Sequence, residues 1–169
     1  MKIAINCGHT KFGVGTGAVG NGLKESLETR KIGYELMKLL VDTRHEVIPV
    51  VFDSSSNNLK EAVQLANSKK ADLFLSIHLN AGGGTGCEAY TWKGERLPLA
   101  VRICDKLNTL GIRSRGVKDG GHLYVVKKTK CPSVLLECFF IDNASDVHNY
   151  SSSSIAKIIY KSIVEVYGK

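Results

Sequence analysis

Nothing in this chain is built to cross a membrane. No apolar run approaches the ~20 residues that a spanning helix needs, so no stable membrane association is expected. The amino-terminal stretch Met1–Cys7 is too short in apolar residues for a signal peptide and reads as a first strand. Synthesis in a cytoplasm, without a leader, is the expectation. Cysteine occurs only at 7, 87, 104, 131 and 138, an odd number with no CxxC, which argues against a disulfide framework in a chain long enough to bury its own core. No Gly-Lys-Ser/Thr follows a glycine-rich loop, so a phosphate-binding P-loop is excluded. Acidic residues are outnumbered, 16 against 23 Lys and Arg, giving a net charge of +7. That balance favours anionic partners. Yet the basic residues form no dense block; the main clusters are Lys127-Lys128 with Lys130, and Arg113 with Arg115. No aromatic-rich nucleic-acid signature accompanies them, and no nucleic-acid partner is expected.

What is present is an alternation of strand-like and helix-like segments. Strands are expected at Ile3–Ile5, Glu46–Phe52, Ala71–Leu79, Cys87–Trp92, Leu123–Val126 and Ser133–Phe140. Helices are expected at 24–44, 59–70, 95–110 and 155–167, each with apolar residues at helical spacing, such as Ile32, Leu36, Leu39 and Leu40. Residues 113–121 read as a basic, glycine-containing loop with short extended stretches, and Asn143 as the cap of a short helical turn. Ala71–Leu79 is almost continuously apolar, as a central parallel strand should be. The pattern predicts an α/β fold: one three-layer domain, with a mostly parallel mixed sheet of about six strands and helices on both faces. The short glycine-rich connection into Cys87–Trp92 suggests antiparallel pairing with the strand before it. No internal repeat or linker divides the chain, and a monomer is expected.

Three polar interruptions stand out in the apolar segments: Cys7-Gly8-His9, Ser76-Ile77-His78-Leu79-Asn80 and Leu136-Glu137-Cys138. An ionisable residue in a buried strand is costly unless paired, neutralised or bound to a metal. Open α/β sheets place ligands outside the carboxyl ends of their strands, which is where His9 and His78 fall. Two histidines and one carboxylate would make a catalytic zinc site with one position left for water. Glu25, just after the loop that leaves His9, is the best third ligand, and Glu28 one turn later competes with it. Each also suits the first turn of a helix for its charge alone. Glu137 is the strongest anomaly, because burial would raise its pKa toward neutrality and suit it to proton transfer. Its competing reading is a salt bridge to a lysine. Glu88 reads as an exposed strand position or a neighbour of Lys93. Asn80 either hydrogen-bonds a substrate or shapes the turn. His122 and Arg115 could border a cleft, whereas His45 and His148 look like surface residues. Cys7 beside His9 raises the possibility of a Cys-His nucleophile. A rival motif, Gly15, Gly17 and Gly20, spells GxGxxG with Asp53 after the second strand, as in a dinucleotide-binding fold. Its first glycine lies too far past the strand for the tight pyrophosphate turn.

Taken together, Gly8-His9, Gly17-Ala18, Asn21-Gly22-Leu23-Lys24-Glu25, Ala71 to Ala81 with Ser76-Ile77-His78-Leu79-Asn80-Ala81, Arg115-Gly116-Val117-Lys118 and Cys131 to Glu137 come in the order of one family. The chain resembles, from residue 2 to 167, the catalytic domain of zinc-dependent N-acetylmuramoyl-L-alanine amidases of bacterial autolysins and phage endolysins. The resemblance implies Zn2+ on His9, Glu25 and His78, with Glu137 as catalytic acid/base. It implies peptidoglycan as substrate, cut at the amide between N-acetylmuramic acid and the L-alanine of the stem peptide. Residues 1–169 then form a single catalytic domain, with any wall-binding domain lying outside them. The enzyme would reach the bacterial wall after release by a holin, as a phage endolysin does, with a bacterial autolysin as the alternative. A noncatalytic wall-binding module is the competing class. Departures from the family pattern are Asn6-Cys7 where Asp-Pro is frequent, and Phe52-Asp53 where an arginine often follows the second strand.

Overall fold

The computed structural model describes residues 1–169. In chain order the elements are β1 (Lys2–Cys7), β2 (Val19–Gly20), β3 (Leu23–Lys24), α1 (Glu25–Leu40), β4 (Glu46–Val50), α2 (Asn58–Ser68), β5 (Leu73–Asn80), β6 (Cys87–Thr91), α3 (Pro98–Leu107), β7 (Ser114–Asp119), α4 (Tyr124–Lys128), β8 (Ser133–Phe140), α5 (Ala144–His148) and α6 (Ser152–Tyr167). Six strands form one mixed sheet in the order β4-β1-β5-β8-β6-β7, while β2 and β3 make a separate short hairpin. The four strands β4, β1, β5 and β8 are parallel, β6 runs antiparallel to β8, and β7 is parallel to β6.

Period-2 alternation sends side chains of the central strands to two apolar layers. Ile3, Ile5, Leu73, Leu75, Ile77 and Leu136 join the larger cluster with Ile32, Leu36, Leu99, Ile103 and Ile159 of α1, α3 and α6. Ala4, Phe74 and Leu135 face the opposite way, onto Ala62, Val63 and Ala66 of α2 and Val125 and Val126 of α4. Helices therefore cover both faces, as the alternation of the sequence predicts. From β1 the chain crosses to β4 on one side, then returns through α2 to β5 on the other. That reversal opens a crevice at the carboxyl ends of β1 and β5.

Several boundaries differ from expectation. Leu123–Val126 is not a strand: Tyr124–Lys128 forms a short helix that buries Val125 and Val126 against α2. An apolar run this short has no periodicity to separate the two states. Residues 114–119, within a loop expected to hold only short extended stretches, make the edge strand β7 on β6. Its Arg and Lys side chains disguise it, and charge is a common protection for a sheet edge. β6 is antiparallel, but its partner is β8, which comes between it and β5. Asn143 does cap α5, its side chain accepting from the Ser145 and Asp146 amides. His45 is buried rather than superficial, with its Nε2 2.8 Å from the Gly168 carbonyl oxygen, whereas His148 is exposed.

Candidate metal centre and active site

His9 follows β1, His78 lies near the end of β5, and Glu25 opens α1, whose first turn lies over those strand ends. The structure brings one donor atom from each within 4.8 Å of the others. Glu25 Oε1 lies 3.1 Å from His9 Nε2 and 3.2 Å from His78 Nδ1. The other ring nitrogen of His9, Nδ1, is 3.0 Å from the Gly15 carbonyl oxygen. Donation to that carbonyl puts the proton on Nδ1 and leaves the Nε2 lone pair aimed into the cluster. Glu25 is held by the Leu79 amide on Oε1 at 3.0 Å and by the Ala18 amide on Oε2 at 2.9 Å. Burial pushes the Glu25 carboxyl up, but the hydrogen bonds to His78 and His9 overcome it and keep the group far below the usual carboxylate range. Burial likewise works against the charge on His9, and contact with Glu25 outweighs it, so its pKa rises.

Two glycines explain why the loop can close this tightly. A Cβ on Gly8 would stand 2.6 Å from His78 Nε2, so the imidazole packs flat against bare backbone. Gly17 has φ +79°, and a Cβ there would lie 2.6 Å from Glu25 Oε2. His9 itself sits at φ +67°, a left-handed conformation rare outside glycine. Strain of this kind persists where surrounding contacts over-determine it. Thr29 Oγ1 donates to the Gly8 carbonyl at 2.9 Å, and the buried Arg30 reaches the carbonyls of His9, Ser26 and Phe52. Neither residue carries a sequence signal beyond its place on the inner face of α1.

Glu137 is register partner to His78 on the adjoining strand. Its Oε2 is buried and has no hydrogen-bond partner, and no lysine pairs with it. Burial is the main cause lifting its pKa to about 7; the facing His78 pulls it down, while Glu25 and Glu88 add to the rise.

Glu28 does not join the cluster. Its Oε1 accepts from Lys31 at 2.8 Å and its Oε2 from the Tyr150 hydroxyl at 2.7 Å. Cys7 is buried, its sulfur lies against Gly33 of α1, and burial raises its pKa to about 12, which removes the Cys-His nucleophile. Gly15, Gly17 and Gly20 form no phosphate turn. They carry the loop over His9 and Glu25 and into the β2–β3 hairpin, where a Cβ on Gly20 would strike the Ile141 carbonyl at 2.7 Å. Asp53, the would-be ribose acid, accepts from Arg30 at 3.2 Å.

Glu88 overturns its reading as an exposed position. It is buried opposite Glu137, and its oxygens accept from Asn80 at 2.8 Å, Tyr90 at 2.7 Å, Arg115 at 2.6 Å and Lys118. A lone carboxylate inside Cys87–Thr91 is the same signal that singles out Glu137. Asn80 gives its amide hydrogens to Glu88, and its Oδ1 accepts from the Ala81 amide. Arg115 lies at the rim of this network, and His122 is exposed with its ring 6.0 Å from that of Tyr90.

Residues 3–166 match the N-acetylmuramoyl-L-alanine amidase family. The chain is 34% identical over 165 residues to N-acetylmuramoyl-L-alanine amidase CwlM of Bacillus licheniformis, covering 94% of this chain and 64% of that one. It is 34% identical over 154 residues to the endolysin of Bacillus phage SPP1, covering 84% and 55% respectively. It therefore spans less than two thirds of the length of these relatives. Among solved structures, the catalytic domain of the CD27L endolysin targeting Clostridia Difficile superposes with a TM-score of 0.87 at 30% identity, over 98% of this chain and 97% of that one.

Proposed function

The chain belongs to the N-acetylmuramoyl-L-alanine amidase family, and from that premise we propose that residues 1–169 act as one zinc-dependent catalytic domain. Its substrate is peptidoglycan, and it hydrolyses the amide joining the lactyl group of N-acetylmuramic acid to L-alanine. The observation that carries this reading is the unpartnered, buried Glu137 Oε2 on the strand beside three convergent donors. Two imidazole nitrogens and one carboxylate oxygen suit zinc and leave a coordination position open.

His9 Nε2, His78 Nδ1 and Glu25 would hold the ion. When bound, zinc supplies Lewis acidity toward the attacking water and the scissile carbonyl. Glu137 does the proton work. As a carboxylate it accepts the proton of the attacking water, and as the acid so formed it returns that proton to the departing alanine nitrogen. A carboxyl with a pKa near 7 is matched to both halves of this cycle. Glu88 cannot share the task, because all its partners favour its ionised form. Asn80, tied to Glu88 through its amide nitrogen and to the Ala81 amide through Oδ1, would act on the substrate through the wall of the site.

The test is incubation of the purified protein with purified peptidoglycan. Hydrolysis releases alanine amino groups without new reducing sugar ends. New reducing ends would make the protein a glycosidase, and no release would make it a wall-binding module. The similarity to two endolysins supports a lytic role on the bacterial wall after holin-mediated release. The similarity to CwlM supports an autolysin in the same chemistry.

A further inference from the structure

The end of the sheet away from Glu137 carries a second built feature. Since β6 and β8 are antiparallel, with Tyr90 opposite Leu135, the carboxyl end of β6 meets the amino end of β8 there. Trp92, Leu97, Val126, Lys127, Lys130 and Pro132 line a cleft of about 300 Å³ at that end. A neighbouring depression shares Lys130 and Cys131 with it and adds Lys70. Four residues of strand separate Ser133, in the cleft wall, from Glu137, about 13 Å at ~3.3 Å per residue.

The groove and its borders gather more positive than negative charge. Lys70, Lys127 and Lys130 in its lining, and Lys69 and Lys128 next to them in the chain, are all exposed, and none forms an ion pair. Only Glu95 and Asp72 oppose them in the lining, and Asp72 already accepts from the Lys2 amide at 2.6 Å. The lysines sit on one braced surface: Asn67 at the end of α2 donates to the Lys128 carbonyl at 3.2 Å and accepts from the Lys130 amide at 2.9 Å. Beside them stands Trp92, the chain's only tryptophan, 41% exposed. An exposed indole offers a flat apolar face, and amphipathic aromatics of this kind are favoured at binding surfaces.

We propose that this groove binds an anionic, phosphodiester-linked polyol polymer bearing sugar substituents, with phosphates on the lysines and a sugar face on Trp92. A single aromatic gives no ladder for stacked bases, which sets this ligand apart from a single-stranded nucleic acid. Binding here leaves the crevice at the opposite strand ends open, so the polymer would hold the domain without blocking its site. The anionic, sugar-bearing character follows from the lysines and Trp92; the phosphodiester-linked polyol, as a wall component, rests on the amidase reading.

The experiment is a fluorescence titration of the full chain with purified poly(glycerol phosphate) carrying sugar substituents, read on Trp92. A saturable change is expected, weakening as salt rises. The Lys127→Gln/Lys130→Gln variant should bind about tenfold more weakly, yet cut a small soluble muropeptide within about twofold of the parent rate. By calorimetry, Trp92→Ala should lose affinity for the sugar-bearing polymer and much less for its sugar-free form. Glu137→Gln should bind like the parent. An unchanged Trp92 signal, unaltered affinity in the lysine variant, or equal affinity for double-stranded DNA at matched phosphate would overturn the proposal. A chain that binds the polymer but releases no alanine amino groups would keep this inference and lose the amidase reading.

Discussion

Two carboxylates face each other across adjoining strands and live under opposite conditions. Glu137 on β8 and Glu88 on β6 are direct register partners. Around Glu88, four donors surround a buried carboxylate; burial pushes its pKa up, but Lys118, Arg115 and Tyr90 outweigh this and hold it at about 2. Around Glu137, one oxygen has no partner at all, and burial lifts its pKa to about 7. Neighbouring positions in one sheet thus yield a permanent anion and a group that can change protonation at neutral pH. The lesson is that burial alone does not make a catalytic carboxyl; burial without donors does.

The largest effect should come from removing the group on the unpartnered side. Glu137→Gln should lower peptidoglycan hydrolysis by ~10²–10⁴-fold while zinc content stays near that of the parent. Near-normal hydrolysis would move the proton transfer elsewhere and erase the contrast with Glu88. His9→Ala and His78→Ala should each lose both metal and activity, and a chelator should inactivate the parent until zinc is restored. Metal analysis of fresh protein checks this, with about one zinc per chain expected for a single three-ligand site. Full activity after exhaustive metal removal would end the zinc reading.

A different outcome is expected on the paired side. Glu88→Gln leaves Arg115 and Lys118 without their anion, but both are partly exposed, so the loss of stability should be only ~1–3 kcal/mol in denaturant unfolding. Its kcat should fall far less than that of Glu137→Gln. A larger fall in activity than in stability would show that Glu88 shares the chemistry.

The pH dependence separates the two with opposite signs. Glu88 has a lowered folded pKa, so its stabilisation is present above its unfolded value of 4.5 and fades as pH falls toward about 2. Glu137 has a raised folded pKa, so its folded state binds the extra proton. Its contribution is greatest below 4.5 and is lost as pH rises through about 7. In chelated protein, Glu137→Gln should therefore gain stability over the parent by ~1–3 kcal/mol at pH 8 and much less at pH 4. A parallel pH curve for parent and variant would mean Glu137 is not raised. The smallest change is Gly17→Ala, where backbone strain of ~1 kcal/mol and crowding of Glu25 should weaken zinc retention against a competing chelator. Unchanged retention would show that the loop adjusts freely.

The same contrast shows how far a linear reading reaches. Glu137 and Glu88 carry one signal, a lone carboxylate among apolar strand residues, yet the signal reads correctly as burial only for Glu137. β6 is short, and a strand of five residues next to Lys93 reads as surface. The partners that decide Glu88's state, Arg115 and Lys118, lie on β7, which charge and glycine disguise as a loop. Helix α4 was open to the opposite error, because two valines in a row fit a strand as well as a buried helical turn.

The α/β alternation and the identity of the groups that interrupt it are legible along the chain alone. Both follow from local rules: the apolar period of each segment, and the cost of an ionisable residue in a buried strand. Tertiary structure decided which groups meet. Glu25 and Glu28 are one helical turn apart and alike in sequence context, but α1 directs one between two imidazoles and the other onto Tyr150. Likewise, β8 inserts between β5 and β6, setting Glu137 beside His78 and opposite Glu88. Such choices depend on pairings between segments 53 to 122 residues apart, set by how helices and strands pack around a shared core, and no local periodicity encodes them.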